Sequence, residues 1–336
     1  MYIRENKFGI FIGGATYIGV VPEIAMLTEK MGFDSFWVSD HMFLPEYFYQ
    51  SVGMDISKGE YPFLEAWTTI AAVSTITKRI KLGVGVTPIP MRQPAILAKQ
   101  VATIDFISNG RVIFGVGAGW HRKEFESYGL PYDTHQVRIN KMMEGLEVIK
   151  KLWTEPFASY NGKYYKIQEA PLWPKPIQKP HPPIWFGGTS IKILNLTSLY
   201  GQGWVPYCPT AEQFKELYSK IEEIAKKAGR NPNEIEPACV VLACISSNYD
   251  EARKIAEPII KLRGSFSLKP EEWDEAEKRG VYGGPDDCIE RIEEYFRAGV
   301  KHILFEIISP KIVYDNVKLF GEKVISYFKE YSFKKG

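Results

Sequence analysis

Cysteine is scarce in this chain: four residues in 336 (Cys208, Cys239, Cys244 and Cys288), with no Cys-x-x-Cys pair. A secreted chain more often pairs its cysteines, so a reducing, cytoplasmic setting is expected. An excess of charge is lacking too. Against 42 Lys and Arg stand 40 Asp and Glu, whereas nucleic-acid binders usually carry a basic excess or stripe. No apolar run approaches the ~18 residues of a membrane span. The segment Met1–Lys7 is charged and lacks the apolar core of a signal peptide. The five histidines (His41, His121, His135, His181, His302) show no His-x-His pair after the first strand and no His-x-x-x-His helix, which disfavours a barrel metallohydrolase, and no metal is expected. Neither a Gly-x-Ser-x-Gly elbow nor a Cys/His nucleophile is visible. Nor does a Gly-x-Gly-x-x-Gly follow the first strand-like run, as an open dinucleotide-binding sheet would need.

What is present is alternation. Phe8–Ile12, Ser35–Val38, Ile80–Val86, Val112–Val116, Pro183–Phe186, a short run at Gly203–Val205, Pro237–Ile245 and His302–Glu306 read as strands. Helical periodicity fills 22–31, 64–76, 93–107, 137–153, 190–199, 212–228, 250–262, 286–298 and 312–330, with Gly32 and Asn109-Gly110 as stops. Eight β/α units with near-continuous apolar strands predict a parallel sheet sheathed by helices. The count of eight favours a (β/α)₈ TIM barrel over a doubly wound sheet. The rhythm breaks after strand 4, at about 155–182, and after strand 7, at about 263–284. Both breaks read as insertions into a single domain spanning 1–336.

Barrels do their chemistry where strands end at the carboxyl face. The second strand ends in Ser39-Asp40-His41, an imidazole suited to proton transfer near neutral pH beside a carboxylate that can orient it. The plainer alternative is a capping Asp40 and a packed His41. The third ends in Gly83-Val84-Gly85-Val86-Thr87-Pro88, where glycines mark a bulge or a close backbone approach. The fourth ends in Gly115-Val116-Gly117-Ala118-Gly119-Trp120, whose alternating glycines would bare a flat floor for a planar ring, or make a tight turn. The fifth ends in Gly187-Gly188-Thr189-Ser190 opening a helix, which suits a phosphate or an ordinary N-cap. His181 among prolines and His302 at the last strand read as structural. The run Met42–Tyr49 is either a mobile apolar lid or a packed loop.

In this order, Gly32–His41, Leu82–Pro88 with Pro94-Ala95, Asn109-Gly110-Arg111, Gly115–Trp120 with Glu124-Phe125 and Tyr128-Gly129, Pro183–Gly188 and Gly283–Asp286 resemble the luciferase-like family. That family includes bacterial luciferase, alkane monooxygenases and deazaflavin-dependent dehydrogenases and reductases, and the resemblance covers almost the whole chain. It implies an oxidoreductase with a flavin or deazaflavin ring at the barrel mouth. His41 would do acid/base work, with Asp40 beside it at the ring's reactive edge. Gly85-Val86 matches a non-proline cis peptide that bulges against the ring. Ala118, Gly119 and Trp120 resemble the fourth-strand contacts, and Gly187, Gly188 and Thr189 the cofactor's phosphate end. The Ser-Asp-His form resembles the deazaflavin branch, in which coenzyme F420 exchanges a hydride with a small organic substrate. The alternatives are an FMN-dependent monooxygenase fed by a partner flavin reductase, and a non-catalytic flavin-binding protein. Trp120 stands where the sugar-phosphate dehydrogenase branch has Glu, and no obvious Lys/Arg set for a sugar phosphate is present, although Arg263 and Arg279 lie in the insertion before the eighth strand, so a sugar phosphate is not expected. A homodimer through helices flanking the second and third strands is also implied.

Overall fold

The structure, a computed structural model, describes residues 6–13, 21–55, 58, 63–263 and 272–329. The apolar runs become strands: β1 (Lys7–Ile12), β2 (Ser35–Val38), β3 (Lys81–Pro88), β4 (Val112–Gly117), β5 (Phe157–Asn161), β6 (Lys166–Pro171), β7 (Ile184–Phe186), β8 (Gly203–Trp204), β9 (Glu236–Ile245), β10 (Gly280–Gly283) and β11 (His302–Ile307). Taken in the order β1, β2, β3, β4, β7, β8, β9 and β11, each strand pairs in parallel with the next. β11 returns to β1, closing the eight-stranded barrel that the alternation predicts.

One strand escapes the sequence pattern. β10 lies in the stretch expected to be irregular and pairs with Leu242–Ile245 of β9, on the edge that β8 leaves after Pro237. Four residues bounded by glycine carry too little alternation to announce a strand. Residues 264–271 of that stretch lie outside the described residues. The break after strand 4 contains β5–β6, an antiparallel pair separate from the barrel.

The sheath consists of α1 (Val21–Lys30), α2 (Glu46–Gln50), α3 (Ala66–Ile76), α4 (Pro94–Ile107), α5 (Arg122–Ser127), α6 (His135–Thr154), α7 (Ile191–Tyr200), α8 (Ala211–Lys227), α9 (Tyr249–Arg263), α10 (Trp273–Ala276), α11 (Pro285–Arg297) and α12 (Val313–Leu319). Local chemistry sets their ends. Thr210 and Gln213 close a capping box on α8, and Gly32, at φ +82°, supplies the left-handed turn that stops α1. No helix among the described residues is long and apolar enough to cross a membrane.

Inside the barrel, Phe11, Trp37, Ile113, Trp185, Ala238, Val240 and Leu304 form a packed plug. Gly83 belongs to this core, because a Cβ there would sit 2.2 Å from the Trp37 ring. Below the plug, the Trp37 indole N–H donates to Ser35 Oγ at 2.9 Å, and Ser35 Oγ bonds His302 Nε2 at 2.8 Å. His302 is thus structural, as its place at the last strand suggests. Burial pushes its pKa from an ordinary 6.5 down to about 3. The folded state therefore keeps a neutral ring where the unfolded chain takes up a proton. Its contribution is complete above pH 6.5 and is lost as pH falls toward 3, at ~1.4 kcal/mol per pH unit. Urea midpoints measured across that window are expected to fall less steeply in His302→Gln than in the parent.

Candidate active site at the carboxyl mouth of the barrel

The strand ends converge on one cavity of about 580 Å³, a size common for cofactor and small-molecule sites. Asp40, His41, Gly85, Val86, Ala118, Gly119, Trp120, Gly187, Gly188 and Thr189 all line it. The structure thus brings together every residue singled out from the sequence.

Asp40 is buried against Arg92, which follows β3. Arg92 Nε donates to Asp40 Oδ2 at 3.0 Å and Nη2 to Oδ1 at 2.5 Å, while Nη2 also reaches Glu65 Oε1 at 2.8 Å. Burial pushes the Asp40 carboxyl above the ordinary carboxylate range, and the guanidinium works against that shift. The Arg92 guanidinium loses solvation in the same burial, but the two carboxylates hold its pKa above the ordinary value. Asp40 is therefore held in a two-bond fork by Arg92 rather than capping a loop.

His41 is held by a group the sequence reading did not assign to the site. Its Nδ1 lies 3.0 Å from Glu124 Oε2, and the other Glu124 oxygen accepts the Met42 N–H. Glu124 sits on α5 and is buried. A carboxylate at Nδ1 favours the tautomer with the proton there, leaving Nε2 as the acceptor. Nε2 has no hydrogen-bond partner among the described residues, and the ring lines the cavity. Trp120 meets the imidazole edge-on at 5.5 Å. His121 does not compete: its Nδ1 is 3.9 Å from Glu124, and burial pushes its pKa down. Glu124→Gln would put an amide N–H against Nδ1 and favour the other tautomer. It is expected to lower kcat roughly ten- to a hundredfold, part of what a positioned acid/base supplies, with KM changed far less; steady-state kinetics checks this.

The Gly85–Val86 peptide is cis, and the β3–β4 register slips between Val84 and Thr87. Here the structure corrects one expectation. The alternating glycines after Phe114 do not bare a floor, because neighbours fill the space they leave: the Val84 carbonyl at Gly115, Val86 at Gly117 and Phe125 at Gly119. A Cβ on Gly117 or on Gly187 would lie 2.7 Å from a Val86 methyl, and one on Gly115 would meet the Val84 carbonyl oxygen at 2.1 Å. The surface presented to a ligand is therefore the Val86 side chain. At the far end Ser190 is an ordinary N-cap, its Oγ accepting from Ile193 N–H at 3.4 Å. Gly187, Gly188 and Thr189 precede it on the cavity wall, where the amino end of α7 favours an anion.

The run after His41 takes its packed form. It contains α2, and Leu44, Phe48 and Tyr49 are buried together, with Leu44 N–H donating to Tyr49 Oη at 3.0 Å. Leu44 and Phe48 roof part of the cavity. Besides Glu124, the sequence reading missed Arg92, Glu65 and Glu306, the last a buried carboxylate on β11 that lines the cavity. Glu124 had one signal, its place in the Trp120–Gly129 motif, and Glu306 had another, its place at the end of the eighth strand; Arg92 had none.

The comparisons with known proteins agree with this geometry. The chain is 28% identical over 308 residues to the F420-dependent glucose-6-phosphate dehydrogenase of Amycolatopsis mediterranei, covering 84% of this chain and 86% of that protein. It is 24% identical over 335 residues to the FMNH(2)-dependent dimethylsulfone monooxygenase of Pseudomonas putida, covering 92% and 87%. The solved structure of the coenzyme F420 dependent tetrahydromethanopterin reductase from Methanopyrus kandleri superposes with a TM-score of 0.77 at 25% identity, over 96% of this chain and 99% of that one. All three are oxidoreductases by name. Residues 7–302 match the family model described as luciferase-like monooxygenase, and the chain belongs to that family.

Proposed function

We propose that this protein is a deazaflavin-dependent oxidoreductase that moves a hydride between coenzyme F420 and a small organic substrate. The observation that carries the reading is His41, fixed through Nδ1 by buried Glu124 with Nε2 left to the cavity. A protein that merely stored a flavin would not need an imidazole oriented in this way.

The residues present fit the coenzyme. Ser39 Oγ is buried on the cavity wall without a hydrogen-bond partner among the described residues, a vacancy that a polar ring edge would fill. Val86 and Ala118 offer the ring apolar contact, with Gly85, Gly119, Trp120 and Asp40 around it. Gly187, Gly188 and Thr189, ahead of α7, would hold the phosphate end. When bound, the deazaflavin supplies hydride chemistry and reacts poorly with oxygen. The protein's share is orientation, exclusion of water and proton transfer at His41 Nε2, the acceptor nitrogen left to the cavity.

The second reading keeps the site and changes the ring. The dimethylsulfone monooxygenase, FMNH(2)-dependent by name, matches 92% of this chain; such an enzyme would need a partner reductase to deliver reduced flavin. Fluorescence titration with each cofactor separates the two. Micromolar binding of F420 with no binding of FMN is the expected result, and the reverse would overturn the F420 assignment. The reading includes a cytoplasmic homodimer. On α4, which flanks β3, Ile96, Phe106 and Ile107 are at least half exposed, and light scattering at the elution peak measures the mass.

A further inference from the structure

Barrel order puts β1, β9 and β11 across the cavity from β3, β4 and β7, where the cofactor residues lie. If the ring occupies the β3–β4–β7 side, as the proposed function holds, the substrate has the other wall. That wall is Phe11, Val205, Val240 and Tyr207, with one carboxylate, Glu306. Glu306 is 2% exposed and occupies room left by a glycine at the end of β1: a Cβ on Gly13 would lie 2.1 Å from Glu306 Oε1.

The charges around this wall have one sign. Asp40, Glu124 and Glu306 line the cavity, and no Lys or Arg does among the described residues. Two arginines near the barrel mouth are committed elsewhere. Arg92 grips Asp40 and Glu65, and Arg279 donates to Gln213 Oε1 at 2.7 Å and to the Cys208 carbonyl. Among the described residues no Lys or Arg lines this wall to offset an added negative charge, which disfavours a carboxylate or phosphate monoester stripped of water there.

We propose that the substrate is a small, uncharged, hydroxyl-bearing molecule. Its carbon skeleton lies on Phe11, Val205 and Val240, its hydroxyl donates to Glu306, and anionic substrates are rejected. A carboxylate has about four acceptor positions, so Glu306 can keep its existing contacts and still accept a hydroxyl. In this role Glu306 is a specificity-determining residue.

One ring skeleton with four head groups tests this: cyclohexanol, cyclohexanecarboxylate, cyclohexyl phosphate and cyclohexylammonium. Binding is followed by saturation-transfer NMR on the bare protein, and on protein saturated with whichever cofactor it binds. The alcohol is expected to bind at least about tenfold more tightly than either anion and more tightly than the ammonium. Glu306→Gln is expected to weaken alcohol binding roughly tenfold, the worth of one hydrogen bond to a charged group, with cofactor affinity unchanged. Equal or tighter binding of an anion or of the ammonium would overturn the proposal, as would a Glu306→Gln protein that binds the alcohol like the parent. The wild-type ranking needs no variant to fold. Failure to bind F420 would sink the cofactor assignment alone, since the bare-protein ranking still decides the substrate class.

Discussion

Replacing His41 with alanine is expected to lower turnover by roughly a hundredfold to ten-thousandfold, the range a positioned general acid or base supplies. Cofactor affinity should change little. The contrast follows from the site: His41 Nδ1 is taken by Glu124 and Nε2 is left to the cavity. The apolar contacts offered to a ring come instead from Val86, Ala118 and their neighbours. Alanine also strips buried Glu124 of its imidazole partner, leaving only the Met42 N–H. His41→Asn is therefore the companion variant, because its amide can still donate to Glu124 while offering no proton-transfer nitrogen. If both variants bind cofactor normally and both lose turnover in single-turnover kinetics, the loss is chemical. Turnover that survives in either one would make His41 a packing residue.

Arg92→Ala is expected to cost about 3–5 kcal/mol of stability, the usual effect of leaving one partner of a buried ion pair uncompensated. Arg92 makes two hydrogen bonds to Asp40 and one to Glu65, and Asp40 is 3% exposed. Burial alone pushes the Asp40 carboxyl up. Without the guanidinium its folded-state pKa would rise further above the unfolded value. A group with a raised folded pKa is least harmful when protonated, so the deficit of the variant should be largest at neutral pH and shrink as pH falls. Adding Asp40→Asn to Arg92→Ala should recover part of the lost stability, because no buried charge then remains on that side. Urea denaturation of the parent, the single and the double variant measures all of this. An Arg92→Ala protein within about 1 kcal/mol of the parent, as for an exposed pair, would show that the fork is not buried in solution.

How much of this was legible in the sequence follows from the distance over which each signal acts. Local periodicity found the barrel strands, since a strand buried on both faces must be apolar throughout, as β9 is from Pro237 to Ile245. The same rule could not find β10, a short strand bounded by glycine. The strand-end rule for barrels placed Asp40, His41 and the glycine turns at the mouth before any contact was known. It could not name their partners, because Arg92 is 52 residues from Asp40 and Glu124 is 83 from His41. No local pattern encodes pairings at such separations. The β4 glycines were misjudged for a related reason. Their missing side chains make room for the Val84 carbonyl and for Val86, on a neighbouring strand, and a sequence shows that space is left without showing what fills it.

The most direct test of the account is a crystal structure of the protein with coenzyme F420 bound. The ring is expected against Val86 in the mouth of the barrel, with His41 Nε2 at its edge, Glu124 still on Nδ1, and the phosphate end at Gly187–Thr189. A ring bound elsewhere, or an imidazole that turns away from it, would contradict the assignment of this cavity and of His41.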